Sequence, residues 1–211
     1  MKILALEFSS PRRSVAVVVD GVTRGTASEA SGRTTRPFAM IEAALVQAGM
    51  ERGQIECLAV GLGPGSYAGI RIAIAIAQGW QIARGVKLLG LCSAEAVAAR
   101  AGQTGRTSVR VGLDAQRQEL FAARYDVSSI AAPRLVEPFQ ICAPSEAGDV
   151  LRMDLWTPST ASEGGSWIPE AETLAGLAEH RTDFVPSAAL EPFYLRKAEF
   201  VKAPPSIFSP I

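Results

Sequence analysis

Few side chains in this sequence are of types that do chemistry, and those few stand at defined places. Glu7, Ser9 and Ser10 follow a short apolar run, Ile3 to Leu6. An acid with two hydroxyls at the end of a strand can hold a phosphate-bound metal and phosphate oxygens. Asp114 ends another apolar run, where a carboxylate can orient a metal or a water, or simply cap a turn. The stretch Gly61-Leu62-Gly63-Pro64-Gly65-Ser66-Tyr67-Ala68-Gly69-Ile70-Arg71 has the glycines of an anion-binding turn. It lacks the Gly-Lys-Ser/Thr of a Walker loop. Read as a dinucleotide turn, it lacks the ribose-binding acid, since no Asp or Glu lies between Gly65 and Glu95. What remains is a tight strand-to-helix turn, with an anion at the helix N-terminus left open. The single histidine, His180, lies in a polar stretch and reads as a surface residue. One histidine excludes a two-histidine metal site, and no Ser-His-Asp arrangement stands out.

Composition narrows the class further. The chain has 211 residues, 48% of them hydrophobic, and a formal net charge of +0. That length suffices for a proper core, and the charge balance argues against a broad electrostatic footprint on nucleic acid. Cys57, Cys92 and Cys142 are odd in number and have no CxxC spacing. A reducing, cytoplasmic setting is the simplest expectation. The apolar start meets Glu7 too soon for a signal segment, and no run approaches a membrane span.

The elements that must position these residues follow from periodicity. Residues 3–8, 14–19 and 22–27 read as an antiparallel meander, with Asp20-Gly21 as a hairpin turn. Arg12 and Arg13 read as part of a solvated turn. Phe38, Ile41, Leu45 and Ala48 recur at helical spacing, and Gly49 ends that helix. Residues 55–60 form a strand. Ile70, Ile72, Ile74 and Ile76 alternate like a strand, but the intervening alanines and the Ser66 cap favour a helix. Such a helix is apolar nearly all round, so one side packs on its own sheet and the other faces a second domain or protein. Trp80 reads as core or interface, and Arg71 as a structural pairing. A strand at 88–91, a helix at 94–100 capped by Ser93, strands at 108–114 and 119–126, a short strand at 135–138 and a helix at 144–151 follow. A Ser/Thr/Gly-rich loop over 157–167 leads to a helix at 171–180, whose inner stripe is Leu174, Leu177 and Ala178. A proline-rich tail closes the chain.

The order β-β-β-α-β-α resembles the start of a ribonuclease-H-like lobe of the actin/Hsp70 ATPase (ASKHA) type, and the expected fold is α/β with two such lobes, at 1–104 and 105–211. The chain is also identified as resembling the TsaB (YeaZ) family, within a glycoprotease-like grouping. The residues that carry this are Leu4-Ala5-Leu6-Glu7, Gly63 to Ile72, Gly112-Leu113-Asp114-Ala115 and Pro192-Phe193-Tyr194-Leu195-Arg196. The resemblance implies a protein without catalysis of its own that supports N6-threonylcarbamoyladenosine formation at position 37 of tRNA. It implies a TsaD-like partner in a heterodimer, a TsaE-like ATPase, a homodimer in isolation, and tRNA reached only through the complex. It places the partner contact on helices 34–49 and 67–83, through Phe38, Ile41, Leu45, Tyr67, Ile70, Arg71, Ile74, Ala77 and Trp80. The competing expectation is a small actin-like ATPase or phosphotransferase. It would use Glu7, Ser9, Ser10 and Asp114 with ATP or ADP and magnesium. Where the family has Asp, this chain has the longer Glu7, and where it often has His, this chain has Arg33. The sequence argues against a metallopeptidase, which the grouping's name brings up, because one histidine cannot supply a His-x-x-x-His pair and no cysteine cluster substitutes.

Overall fold

A computed structural model of the protein describes residues 1–30, 36–153 and 167–195. Arg33, most of the loop expected over 157–167 and the expected proline-rich tail lie outside the described residues.

β1 (Lys2–Glu7) runs through the middle of the first sheet and is buried on both faces. Ile3, Leu4, Ala5 and Leu6 are all enclosed, the pattern of a strand covered on two sides. β2 (Arg12–Val19) pairs with it antiparallel, Leu4 opposite Val17 and Leu6 opposite Val15. Asp20 and Gly21 both have positive φ and turn the chain into β3 (Val22–Ala30), as the hairpin signal required. β4 (Cys57–Gly61) and β5 (Lys87–Leu91) lie parallel to β1 on its other side, for the order β3-β2-β1-β4-β5. α1 (Pro37–Ala48) and α2 (Tyr67–Arg84) cover one face over Leu4, Leu6, Val15, Val17 and Leu58.

α3 (Ser93–Gly102) leads into the second sheet. β6 (Ser108–Gln116), β7 (Glu119–Asp126) and β8 (Arg134–Cys142) form an antiparallel meander. The helix expected over 144–151 is a single turn, α4 (Pro144–Ala147). Gly148 at φ 65 leaves the helix, and β9 (Val150–Arg152) pairs parallel with Arg110–Gly112. Three residues are too few to show a period, so β9 left no trace in the sequence. The order β8-β7-β6-β9 repeats β3-β2-β1-β4: three antiparallel strands, then a parallel strand beside the first.

α3 stands between the two sheets. Ala96 and Ala99 face the first core, while Ala94, Val97, Ala98 and Ala101 face the second. Five of these six side chains are the single methyl of alanine, which lets both sheets approach the same helix closely. α5 (Ala171–Glu179) packs across β1, β2 and β4 with Leu174, Leu177 and Ala178 inward, the stripe read from the sequence. Its location differs from the division at residue 104, because after residue 170 the chain returns to the first sheet. Arg12 and Arg13 also differ from expectation. They open β2 rather than a solvated turn, and Arg13 is buried, its guanidinium 5.9 Å from the centre of the Phe8 ring.

Candidate functional site: the lobe seam and the helical face

Glu7, the last residue of β1, is fully enclosed. Its Oε1 accepts from the Ser9 N–H at 2.8 Å, and its Oε2 accepts from the Ser93 hydroxyl at 2.7 Å. The Ser93 hydroxyl in turn accepts from the Gly63 N–H at 3.1 Å. Ser93 is therefore not the cap of α3; Cys92 holds that position and Ser93 ties the helix start to β1. Burial raises the Glu7 carboxyl above its ordinary range, against the lowering by its hydrogen bonds from Ser9 and Ser93. This acid is a strut between β1, the glycine turn and α3.

The glycine turn lies directly on the β1–β2 turn. The Ser66 N–H donates to the Ser9 carbonyl at 2.6 Å. A Cβ on Gly65 would lie 2.1 Å from that same oxygen, and one on Gly69 would lie 2.0 Å from the Phe8 carbonyl. Glycine is required here for backbone approach. Ser66 then caps α2 by accepting from the Gly69 N–H at 3.3 Å.

Of the four residues expected to bind nucleotide, the structure brings three together. Ser9, Ser10 and Asp114 line one cavity of about 470 Å³ at the seam between the sheets. Glu7 does not reach it. The Ser10 hydroxyl is used locally, donating to the Arg12 carbonyl at 2.6 Å. Among the described residues this cavity is lined by one carboxylate and by no lysine or arginine. A triphosphate with magnesium needs cations and open acid ligands. Glu7 is sealed by its own hydrogen bonds, so among the described residues those at the seam do not fit ATP–Mg. Among the described residues no three His, Cys, Asp or Glu side chains are grouped to hold a metal ion.

The residues expected at a partner contact divide by burial. Ile41, Leu45, Ile70 and Ala77 are core residues beneath their helices, and Ile74 is only 6% exposed. They face their own sheet and cannot be an outer surface. Phe38 (62% exposed), Tyr67 and Arg71 are on the outside, and half-buried Trp80 lies at the edge of the core. The outer apolar face belongs to other residues: Val46 (71%) on α1, and Ala68, Ile72, Ala75, Gly79, Ile82 (82%) and Ala83 on α2. Trp80 and Phe38 border a hollow of about 270 Å³ between the two helices. The helix is thus apolar on two sides as the sequence indicated, with the stripes rotated from the residues named. Glu42, the one acid on α1, is paired with Arg52 at 2.6 Å.

One convergence was invisible in the sequence. The C-terminal segment crosses the first lobe from α2 to the seam. Gln78 donates to the Ser187 carbonyl at 3.0 Å, Leu190 enters the first core, and the Phe193 N–H donates to the Leu62 carbonyl at 2.8 Å. Tyr194 then stacks on Tyr67 at 5.7 Å, and Arg71 bonds the Tyr67 hydroxyl from one helical turn away. Phe193 meets Phe139 of β8 at 6.0 Å. Two motifs more than a hundred residues apart therefore meet at the glycine turn.

Two sheets that repeat one strand order, seamed by a shared helix, define a two-lobed α/β protein of the actin/Hsp70 type. A family model described as TsaD, tRNA N6-adenosine threonylcarbamoyltransferase, matches residues 15–138. The tRNA threonylcarbamoyladenosine biosynthesis protein TsaB of Escherichia coli is 29% identical, covering 93% of this chain and 95% of its own length. An uncharacterised protein of Mycobacterium tuberculosis is 32% identical over 88% of this chain and 95% of its own. The solved structure of YeaZ from Pseudomonas aeruginosa superposes with a TM-score of 0.75 at 25% identity, covering 92% of this chain and 99% of that chain. The chain belongs to the TsaB (YeaZ) family, within the TsaD-type, glycoprotease-like grouping.

Proposed function

We propose that this protein serves N6-threonylcarbamoyladenosine formation in tRNA as a non-catalytic partner of a TsaD-like transferase, which it binds through the outer face of α1 and α2. The exposed apolar stripe of those helices carries this reading. Phe38, Val46, Ile72 and Ile82 project from a surface to which α2 also contributes the small residues Ala68, Ala75, Gly79 and Ala83, with Tyr67, Arg71 and Arg84 exposed on the same helix. Small residues let another helix approach closely, and the large ones fill hollows on a partner. The likeness to the TsaB proteins of Escherichia coli and Haemophilus influenzae supports the pathway. The sealed Glu7 and the absence of a lysine or arginine among the described lining of the seam cavity support a subunit that leaves the chemistry to its partner. In isolation the same face pairs with a second copy. A TsaE-like ATPase joins the assembly, and tRNA is reached through the complex. Among the described residues no helix is long and apolar enough to cross a membrane.

Reconstitution tests the reading. The TsaD-like protein, threonylcarbamoyl-adenylate and tRNA are combined with the wild-type chain or with Ile82→Glu. The wild type is expected to stimulate modification, and to show none when the TsaD-like protein is left out. Ile82→Glu is expected to stimulate at least about tenfold less, because a carboxylate is carried into an apolar contact. Full stimulation by Ile82→Glu, or modification by the chain alone, overturns it.

A further inference from the structure

The helical face of the first lobe is charged in one sense only. α2 contains no acid, and its two charged residues, Arg71 and Arg84, are both exposed. They stand toward its opposite ends, about 20 Å apart at the helical rise. Between them the outer stripe is isoleucine, alanine and glycine. Glu42 is the one charged residue of α1, and Arg52 already bonds it through Nε at 3.2 Å and Nη2 at 2.6 Å. The two helices with Arg52 thus carry three positive charges against one negative, on a chain whose formal net charge is +0. The fold leaves both α2 arginines donors to spare. Among the described residues Arg71 bonds the Tyr67 hydroxyl, Arg84 reaches the Gly53 carbonyl at 3.5 Å, and neither is paired with a carboxylate. A guanidinium has five N–H donors, so each can take an acceptor from outside the chain.

This pattern separates two occupants of the same apolar stripe. A second copy of the chain brings only arginines to meet α2. With the two helices antiparallel, Arg71 of one copy faces Arg84 of the other; with them parallel, each faces itself. Like charges set against each other across a contact disfavour it. A partner with carboxylates at the matching places instead gains charge-assisted hydrogen bonds from the same two side chains. We propose that Arg71 and Arg84 make the face selective: they weaken pairing with a second copy and hold acidic side chains of the TsaD-like partner. The inference rests on the α1–α2 reading above and adds the chemistry of the surface that docks there. That surface is an apolar centre flanked by Asp or Glu side chains about 20 Å apart. The apolar stripe supplies the attraction common to both pairings, and the two arginines decide between them.

Self-association by analytical ultracentrifugation and binding to the TsaD-like protein by calorimetry, each at about 50 and about 500 mM sodium chloride, test this. Salt screens repulsion and attraction alike, so the two affinities are expected to move oppositely. Self-association should be at least about threefold tighter at high salt, and partner binding at least about tenfold weaker. The double variant Arg71→Gln, Arg84→Gln is expected to flatten both dependences. At low salt it should self-associate at least about threefold more tightly and bind the partner at least about tenfold more weakly than wild type. Arg84→Gln alone, which leaves the Tyr67 contact intact, should move both affinities in the same directions. Ile82→Glu separates the charge selection from the surface beneath it, and should lose both associations. Undiminished partner binding by Ile82→Glu overturns the surface and the proposal together. Loss of binding by Ile82→Glu, with partner affinity independent of salt or unchanged in the arginine variants, overturns the charge selection alone.

Discussion

Glu7 shows how a residue type can point to chemistry that its surroundings forbid. An acid followed by two hydroxyls reads as a metal and phosphate site. In the fold the carboxyl is enclosed, held by the Ser9 N–H and the Ser93 hydroxyl, the latter 86 residues away in the chain. No local pattern announces a partner that distant. The enclosed carboxyl has a raised pKa, so its neutral form is the one the fold favours. Its contribution to stability is therefore complete below the unfolded value of 4.5 and is lost as pH rises through the folded value. Denaturant unfolding across pH 4 to 8 should show that decline in the wild type. Glu7→Gln, which stays neutral, should flatten it; an unchanged slope would mean that another group titrates. Glu7→Ala leaves the Ser9 and Ser93 donors without an acceptor and is expected to cost about 2–4 kcal/mol at the acid end of that range, with the deficit shrinking as pH rises and the wild type loses Glu7's contribution.

At the scale of the element, α2 was legible as a helix because its start signals outweighed a misleading alternation of isoleucines. Its outer face was not legible, since an apolar helix does not say which side its sheet takes. The structure turns Ile70, Ala73, Ile74, Ile76 and Ala77 inward and leaves Ile72, Ala75, Gly79 and Ile82 outward. Ile74→Glu would place a charge in the core and unfold the domain. Ile82→Glu is a surface change and should alter stability by no more than about 0.5 kcal/mol. Two glycines of the same helix should behave oppositely in thermal unfolding. Gly69→Ala forces a Cβ to within 2.0 Å of the Phe8 carbonyl and should cost about 1–3 kcal/mol or more. Gly79→Ala meets nothing within 4 Å and should stabilise by about 0.5–1 kcal/mol. The same added methyl should weaken partner binding, because Gly79 lies in the outer stripe. Equal effects of the two changes on stability would contradict the packing described.

Across the whole molecule, the first sheet was readable in the sequence because its hairpin, its glycine turn and its helix periods are local signals. The second lobe was readable only as far as its meander. β9 is too short to carry a period, and nothing local reveals that α5 returns to the first sheet or that Phe193 and Tyr194 end beside the glycine turn. Those placements depend on cores assembled from distant segments. They matter because they leave the two faces of the first lobe unlike: α3 and α5 close one side, while α1 and α2 present apolar residues outward on the other. The proposed partner contact depends on that asymmetry. The most direct test is the affinity of a TsaD-like protein for three forms of this chain: wild type, Ile82→Glu on α2, and His180→Glu, an exposed position at the end of α5 on the opposite side. Ile82→Glu is expected to bind at least about tenfold more weakly, with His180→Glu indistinguishable from wild type. Undiminished binding by Ile82→Glu, or loss confined to His180→Glu, would contradict it.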